Sequence, residues 1–155
     1  MDTFTSKEAI TLAIASVGAV LGIINTWKTL DKDRPKLRVV PKQAFAVGEL
    51  AHYEPDTRLC IEVTNLSTFA LTVSEVGVLY HGSKARGALI PPIVIDGGTF
   101  PRRLEPRSSF TTYAAPNALV GSPHPIKCAY AATDCGLMFE GKSGALKQLE
   151  QEANR

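Results

Sequence analysis

The amino-acid sequence predicts a mainly β protein, in which an N-terminal transmembrane α-helix precedes an antiparallel β-sandwich of about seven strands and a short C-terminal helix follows. Three observations support this fold class. Residues 9–27, a run of 19, contain no charged side chain. After Pro35 the chain consists of short apolar segments separated by turn-forming residues, and several alternate apolar and polar side chains. Residues 143–154 carry apolar side chains at helical spacing.

The uncharged run has the length and the flanks of a single membrane crossing. Nineteen helical residues span about 28 Å, close to the roughly 30 Å hydrocarbon thickness of a bilayer. Trp27 lies where an interfacial aromatic anchor is expected, and Thr5 with Glu8 forms a capping box at the start. We therefore expect an uncleaved anchor. The alternatives are a cleaved signal peptide, although no small-residue cleavage site follows the run, and an apolar helix buried in a soluble oligomer.

The distribution of cations predicts the orientation of this anchor. Only Lys7 precedes the uncharged run, whereas six Lys and Arg residues lie between Lys28 and Lys42. By the positive-inside rule, the segment after the run stays in the cytoplasm. The chain has three cysteines, an odd number without metal-ligand spacing, which suits a reducing compartment. The expected location is the inner (cytoplasmic) membrane, crossed once, with the following domain in the cytoplasm.

One face of the predicted helix carries small and polar residues at spacings of three and four. Gly18 and Gly22 form a G-x-x-x-G pattern on this face. Small residues let two helix backbones approach closely in lipid, and an Asn side chain can hydrogen-bond across the pair. The alternative is that small residues are simply common in membrane helices. The residues predicted to pair, with a second copy or with another membrane helix, are Thr11, Ala15, Gly18, Gly22 and Asn25.

The chain divides into four predicted regions. Residues 1–30 hold the transmembrane helix and its flanks, 31–36 a charged linker, 37–142 the β-sandwich, and 143–155 a short helix or tail. Within the sandwich, residues 58–64 alternate most clearly between apolar and polar side chains, as a half-buried antiparallel strand does.

Six further segments read as strands, and a change of phase near Ser74 predicts a β-bulge in one of them. The residues Asn65 to Thr68 and the sequence Thr-Asp-Cys-Gly at 133–136 are predicted turns. The six segments are residues 37–40 with an extension toward 47, 71–80, 88–95, 110–113, 126–132 and 137–139.

The segments CIEVTNLSTFALTVSEVGVL, RRLEPRSSF and AYAATDCGLMFEG resemble the strands, the L-x-P-x-S turn and the closing hairpin of small immunoglobulin-like domains. The whole chain is similar to single-pass bacterial and prophage proteins with such a domain behind an amino-terminal anchor. This resemblance implies a fold and a topology but no activity. The chain departs from antibody-type domains because its sole tryptophan lies in the anchor. By alternation Cys60 points to the polar face and Cys128 shares a face with Ile126 and Tyr130, so a disulfide is not expected.

No residue pattern indicates a catalytic, cofactor or metal site. His52, His81 and His124 lie far apart without the partners that a metal site on a regular element needs. Ser122 lacks the G-x-S-x-G elbow of a hydrolase nucleophile, and Cys135 is more simply part of a hairpin turn. We therefore expect a protein that is not an enzyme and that binds neither a cofactor nor a metal.

Charge is modest overall but locally concentrated. Charged residues make up 21% of the chain and the net charge is +2, which argues against a dedicated nucleic-acid binder. Cations beside the anchor can attract an anionic leaflet, and arginines around the turn at 104–106 can bind lipid headgroups or an acidic partner. The alternative is a solvated surface. The residues expected to make these contacts are Lys28, Lys32, Arg34, Lys36, Arg102, Arg103 and Arg107.

These observations favour a non-enzymatic, membrane-anchored β-sandwich that serves as an interaction, adaptor or accessory protein. Its expected partners are membrane lipid, a protein that the sequence does not identify, and a second copy through the helix. One alternative is a structural or accessory subunit of a larger phage or mobile-element assembly, in which the helix packs against protein. A second is a hydrolase or redox enzyme that uses Cys135 or His124.

Overall fold

The structure, a computed structural model, describes residues 6–44, 59–90, 93–94, 97–114 and 124–153. The chain separates into two compact units, Met1–Arg34 and Pro35–Arg155. The elements in chain order are α1 (Ser6–Lys32), β1 (Leu37–Gln43), β2 (Leu59–Asn65), β3 (Leu71–Tyr80), β4 (Arg86–Ala88), β5 (Ile93–Val94), β6 (Arg102–Leu104), β7 (Ser109–Ala114), β8 (Ile126–Thr133), β9 (Met138–Gly141) and α2 (Gly144–Ala153).

Helix α1 contains the predicted span and is longer than it. It has 27 residues, with Glu8 in its first turn and Lys32 in its last, where each charge opposes the helix dipole. Because a residue before proline disfavours the α conformation, Pro35 prevents much further extension. The helix therefore includes the first two residues of the predicted linker. The Thr5 half of the predicted capping box lies outside the described residues.

The strands form two antiparallel sheets. One has the order β1-β2-β7-β5, and the other has the order β4-β3-β8-β9 with β6 also paired to β3. Buried side chains from both sheets join in a single core cluster, so the sheets pack face to face. The predicted fold class is confirmed: a mainly β chain with a long apolar N-terminal helix, antiparallel sheets and a short C-terminal helix. The described residues contain nine strands where about seven were predicted.

Strand β2 shows why the alternating pattern was informative. Leu59, Ile61 and Val63 are buried in the core, whereas Glu62 and Thr64 are only partly covered on the other face. Cys60 also faces away from the core but is buried, so the predicted polar face carries covered as well as exposed side chains. The predicted extension of β1 toward residue 47 lies outside the described residues.

The predicted bulge in β3 is confirmed. The register of the β3–β8 ladder shifts between Val73 and Glu75, so Ser74 is the extra residue. An extra residue in one strand lets the apolar side chains on both sides of it return to the same face. Val73 and Val76 are both buried in the core as a result.

A second bulge, in β8, corrects one prediction. Leu79 pairs with Cys128, and the next pair skips Lys127. Because a one-residue shift turns the following side chains to the other face, Ile126 joins the core cluster, whereas Cys128 and Tyr130 do not. The prediction that Cys128 shares a face with Ile126 is therefore wrong, although it shares one with Tyr130.

Residues 88–95 do not form the single strand that the sequence predicts. Strand β4 ends at Ala88 and pairs with β3, whereas β5 pairs with β7 in the other sheet. The chain thus changes sheets between Ala88 and Ile93. The sequence of this interval includes two consecutive prolines, which have no N–H group for a strand ladder. A second difference is β6, because the sequence treated its two arginines as the flank of a turn.

The C-terminal helix is confirmed and docks on the sandwich. The Ser143 hydroxyl accepts the Leu146 amide at 3.3 Å, which caps the first turn of α2. Leu146 is buried in the core cluster, and α2 contacts β1 and β8. The predicted contribution of Leu149 lies outside the described side chains. A ten-residue helix is marginal alone, so this docking explains its presence.

A buried polar cluster joins the two sheets at one end of the sandwich. The Asn65 side-chain amide, fully buried at the end of β2, donates to the carbonyls of Phe69 at 2.8 Å and of Leu104 at 3.0 Å. Its side-chain oxygen accepts the Ser67 amide at 2.9 Å. Because Asn65 belongs to one sheet and Leu104 to the other, a single side chain connects both sheets.

The same end of the sandwich receives the chain from the linker. The Ser67 hydroxyl accepts the Lys36 amide at 2.7 Å, and the Lys36 carbonyl accepts the Leu66 amide at 2.8 Å. The Asn65 carbonyl accepts the Arg107 amide at 3.0 Å. We call this the linker end, and it comprises Lys36, residues 65–69, residues 103–108 and the β8–β9 hairpin at residues 133–137.

The edges of the two sheets also meet closely at Gly141. A side chain built on Gly141 would overlap the carbonyl of Val39, so the backbones of β9 and β1 approach to a distance that only glycine permits. Contacts between β1 and β9 therefore close one side of the sandwich without a hydrogen-bonded ladder.

We expect Asn65→Ala to lower the free energy of unfolding by about 2 to 4 kcal/mol, because it removes the bonds of the buried side chain to the Phe69, Leu104 and Glu105 carbonyls and to the Ser67 amide. Urea unfolding of the full chain in mild detergent, followed by the β-sheet circular dichroism signal, measures this loss. The matched control is Leu66→Ala in the same turn, whose side chain is 37% exposed. An equal loss in both variants would contradict the central role of the Asn65 amide.

Candidate functional site

The most unusual surface of the protein is helix α1. Lys7–Lys32 is long and apolar enough to cross a membrane, and none of it is buried against the rest of the chain. Its aliphatic side chains and Trp27 are exposed, with Trp27 at 69% and Ile23 at 70%. A helix that is apolar around its whole circumference needs lipid or protein around it.

Four hydroxyl groups of α1 are satisfied within the helix. Each of the four donates to the carbonyl four residues earlier, at 2.8 to 3.0 Å. This arrangement removes most of the cost of placing a hydroxyl in an apolar environment. The residues that bond in this way are Thr11, Ser16, Thr26 and Thr29.

The predicted pairing residues form one stripe along α1. Thr11, Ala15, Gly18, Gly22 and Asn25 are exposed, and the space above both glycines is open. A neighbouring helix backbone could therefore approach along this stripe. The Asn25 side chain has two N–H donors and one carbonyl acceptor. A single hydrogen bond to the preceding turn would leave two of these groups to bond to a neighbouring helix. Pairing through these residues stays a prediction.

The cations of the first predicted cluster lie at the end of α1 and just after it. Lys28 and Lys32 are in the last turns of the helix, and Arg34 follows it; all three are exposed. Lys36 is partly buried, because its backbone is bonded to the linker end of the sandwich. These residues form one short stretch of chain that connects the helix to the sandwich.

The three arginines of the second predicted cluster have different environments. Arg102 lies over the Phe110 ring, with 5.2 Å between the guanidinium carbon and the ring centroid, and it is partly buried. Arg103 is exposed and pairs with Glu105 at 2.9 Å. Arg107 is exposed at the tip of the turn. The structure therefore keeps Arg103 and Arg107 as surface cations and makes Arg102 a packing residue.

Arg107 adopts an unusual backbone conformation. Its φ is +62°, in the left-handed region, and it follows Pro106 in a turn that the Ser108 amide closes onto the Glu105 carbonyl at 3.2 Å. A turn of this kind favours glycine or asparagine at the Arg107 position. An arginine there is less stable than glycine would be, which makes the position a candidate for function.

The Arg103 to Arg107 segment and Lys36 meet at the linker end, although they are far apart in sequence. Two other cations, Lys84 and Arg86, follow the far end of β3 and lie at the opposite end of the sandwich. They do not extend the arginine cluster. Arg86 instead pairs with Glu75 at 3.3 Å on the outer face of its sheet.

A polar cluster covers the outer face of β3 and β8. The buried Tyr130 hydroxyl donates to Glu75, and burial, reinforced by that carboxylate, raises the pKa of Tyr130. The cluster lies beside an open cavity of about 470 Å³ lined by Ser74, Glu75, Leu89 and Phe100 among others. A tyrosine with a raised pKa stays neutral, so this arrangement fixes charges in place and provides no activated nucleophile.

The neighbouring cluster around Cys128 is similar in kind. Burial raises the pKa of the Cys128 thiol to about 11, and its hydrogen bond to Glu140, at 3.3 Å, adds to the effect. That bond and Lys127 at 3.2 Å hold the pKa of Glu140 below its usual range. A buried thiol with a raised pKa is chemically inert at neutral pH.

The residues that an enzyme hypothesis would use do not come together. Cys135 lies in the β8–β9 hairpin at the linker end, whereas His124 precedes the first residue of β8 at the opposite end. Ser122 and His52 lie outside the described residues. All three cysteines are free, with Cys60 and Cys128 buried in different sheets.

Neither the arrangement of the possible metal ligands nor the comparison with known proteins assigns a function to the chain. Among the described residues, no three His, Cys, Asp or Glu side chains lie close enough to hold a metal ion. No protein-family model matches the chain, and no curated protein matches it.

Cys135 is the thiol that we expect to react in the folded protein. It is exposed, and the Thr133 hydroxyl, 3.1 Å from its sulfur, lowers the pKa of the thiol. Iodoacetamide should therefore modify Cys135 first, with a pH midpoint below that of an ordinary cysteine, while Cys60 and Cys128 react only after unfolding. Mass spectrometry of the peptides, over a pH series, measures this order.

Thr133→Val should raise the pH midpoint of Cys135 modification, because it removes the hydroxyl that lowers the pKa of the thiol. Thr133→Ser retains the hydroxyl and should leave the midpoint unchanged. Equal reactivity of the three cysteines in the native protein would contradict their described burial.

Proposed function

We propose that this protein is a non-enzymatic, membrane-anchored β-sandwich, in which α1 crosses the inner (cytoplasmic) membrane once and the sandwich binds a protein partner. One observation carries the proposal: a 26-residue apolar helix, Lys7–Lys32, of which none is buried. At about 1.5 Å per residue the helix is roughly 39 Å long, enough for the hydrocarbon core and part of the headgroup region. A soluble monomer would leave this apolar surface in water.

The charge distribution supports a cytoplasmic sandwich. Exposed cations lie in and after the last turn of α1, at Lys28, Lys32 and Arg34, and they outnumber Lys7 at the start. Cations close to the end of a span are retained on the cytoplasmic side. The free cysteines are consistent with the same reducing compartment.

The strand order supports the immunoglobulin-like resemblance. An immunoglobulin domain has its first, second, fifth and fourth strands in one sheet and its third, sixth and seventh in the other. The orders β1-β2-β7-β5 and β4-β3-β8-β9 follow this scheme, with β4 as an added edge strand and β6 as a short extra one. The resemblance to single-pass bacterial and prophage proteins fits a bacterial membrane.

The uncovered helix also permits the assembly alternative. If protein rather than lipid surrounds α1, the chain would be a subunit of a phage or mobile-element complex. The two hypotheses differ in how the full chain behaves toward detergent and membrane.

We expect the full chain, expressed in a bacterium with a cytoplasm-dependent reporter after Arg155, to remain in membranes through high-salt and alkaline washes with the reporter active. Retention with a silent reporter would place the sandwich outside the cytoplasm and reverse the orientation. Release as a defined soluble oligomer would contradict the membrane anchor and favour the assembly alternative.

We expect Gly18→Leu combined with Gly22→Leu to reduce self-association of the helix, because bulky side chains keep the two backbones apart. Energy transfer between donor-labelled and acceptor-labelled chains in vesicles measures association. Ala9→Leu combined with Ala13→Leu is the control, since it adds comparable bulk, at the same spacing of four residues, to the opposite side of the helix. Unchanged energy transfer in the double variant would remove the pairing stripe from the proposal, whereas an equal loss in the control would indicate a nonspecific effect.

A further inference from the structure

We propose that the linker end of the sandwich docks on the anionic surface of the membrane through Arg103 and Arg107. This inference rests on the proposed function, because it requires α1 to span the bilayer. It identifies anionic phospholipid as the ligand of this end and gives the tethered sandwich a preferred orientation.

The first argument is the reach of the chain. Three residues separate the last residue of α1, Lys32, from Lys36, which is bonded to Ser67 in the sandwich. Four extended steps cover at most about 14 Å. In a chain anchored by α1, Lys36 and the linker end to which it is bonded therefore stay within about 14 Å of the end of the helix.

The second argument is which cations the linker end presents. Arg103 and Arg107 are exposed in and beside the turn at 105–108, and the partly buried Lys36 adds a third positive charge. Glu105, which pairs with Arg103, and Asp134 of the hairpin are the opposing carboxylates among the described residues of this end. The balance is one positive charge. The stretch from residue 28 to residue 34 adds three cations, Lys28, Lys32 and Arg34, and two carboxylates, Asp31 and Asp33, so it adds one more.

The third argument is the conformation of Arg107. Glycine would fit the left-handed position without strain, yet the chain has the longest cationic side chain there. The position puts a guanidinium at the tip of a turn that projects from the linker end. A residue that is unfavourable for the turn but suited to a phosphate surface is consistent with selection for binding.

The fourth argument favours lipid over an acidic protein. Leu66 and Leu137 are 37% and 43% exposed on loops of the same end. Apolar side chains beside cations are characteristic of surfaces that enter the headgroup region of a bilayer. An anionic bilayer can contact the cations through its headgroups and the exposed leucines through its acyl chains.

The expected strength is moderate but sufficient. Each basic residue near an anionic surface raises binding by about fivefold. Because Arg103 is paired with Glu105, Arg107 supplies the uncompensated charge, and the expected gain is about fivefold. Docking of a tethered domain is intramolecular, and a short tether corresponds to an effective concentration of about millimolar. A fivefold gain therefore shifts the distribution of orientations toward the one in which the linker end is at the surface.

The test uses the full chain in vesicles, with a small fluorophore on Cys135, the exposed cysteine of the linker end. Phospholipid with a nitroxide in its headgroup quenches the fluorophore when the linker end is at the surface. We expect stronger quenching in vesicles that contain phosphatidylglycerol than in phosphatidylcholine alone. High salt should remove the difference, because the attraction is screened.

Arg103→Gln with Arg107→Gln should abolish the lipid-dependent difference. Lys84→Gln with Lys142→Gln, which removes two exposed cations from the opposite end, should preserve it. Arg107→Gly should weaken the difference without lowering stability, which separates docking from folding. Unaltered quenching in the Arg103 and Arg107 double variant would overturn the proposal.

Three further outcomes also decide it. Equal quenching in neutral and anionic vesicles overturns the docking but leaves the anchor intact, provided that the chain survives an alkaline wash. Release of the chain from the vesicles in that wash would contradict the membrane anchor and, because docking depends on the anchor, the docking proposal as well. Protection of the Cys135 fluorophore from a soluble quencher by polyglutamate, without any lipid effect, would assign the linker end to an acidic protein and reject the membrane.

Discussion

The buried amide of Asn65 is the interaction on which the arrangement of the sandwich most depends. Apolar packing between two sheets is strong but has no direction, so it does not by itself fix where one sheet ends relative to the other. Asn65 supplies direction, because its side chain, carried by β2 of one sheet, is bonded to the Leu104 carbonyl of the other sheet. Its backbone is bonded to the turn at 105–108. Ser67 extends the cluster to Lys36. The place where the chain joins the sandwich is therefore set by the same residues that align the sheets.

The local pattern of the sequence was sufficient for much of the fold. The uncharged run predicts α1, the alternation at 58–64 predicts β2, and the phase change near Ser74 predicts the first bulge, because each depends only on neighbours in the chain. The bulge at Lys127 and the change of sheet after Ala88 were not predicted. Both depend on which strands pair, and this is decided by side chains far away in sequence.

The candidate surface was predictable in composition but not in arrangement. Adjacent arginines in the sequence suggest one cluster, yet strand alternation turns Arg102 onto the Phe110 ring and leaves Arg103 in solvent. The sequence pattern placed Asn65 in an ordinary turn. Nothing in its neighbouring residues indicates that its backbone bonds to Arg107 or that the next residue bonds to Lys36. Such meetings arise from topology. On the outer face, Tyr130 and Cys128 are buried beside the carboxylates of Glu75 and Glu140, and the unpredicted bulge turns Ile126 away from them to the core.

The close approach of Gly141 to Val39 has a consequence for the behaviour of many copies together. An exposed sheet edge can recruit a strand from a neighbouring chain and start aggregation. Here β9 and β1 face each other too closely for a third strand to enter. The remaining edges among the described residues are formed by β4 and β6, with three residues each, and by β5, with two. A sandwich present at high local density would thus offer little template for edge-to-edge assembly.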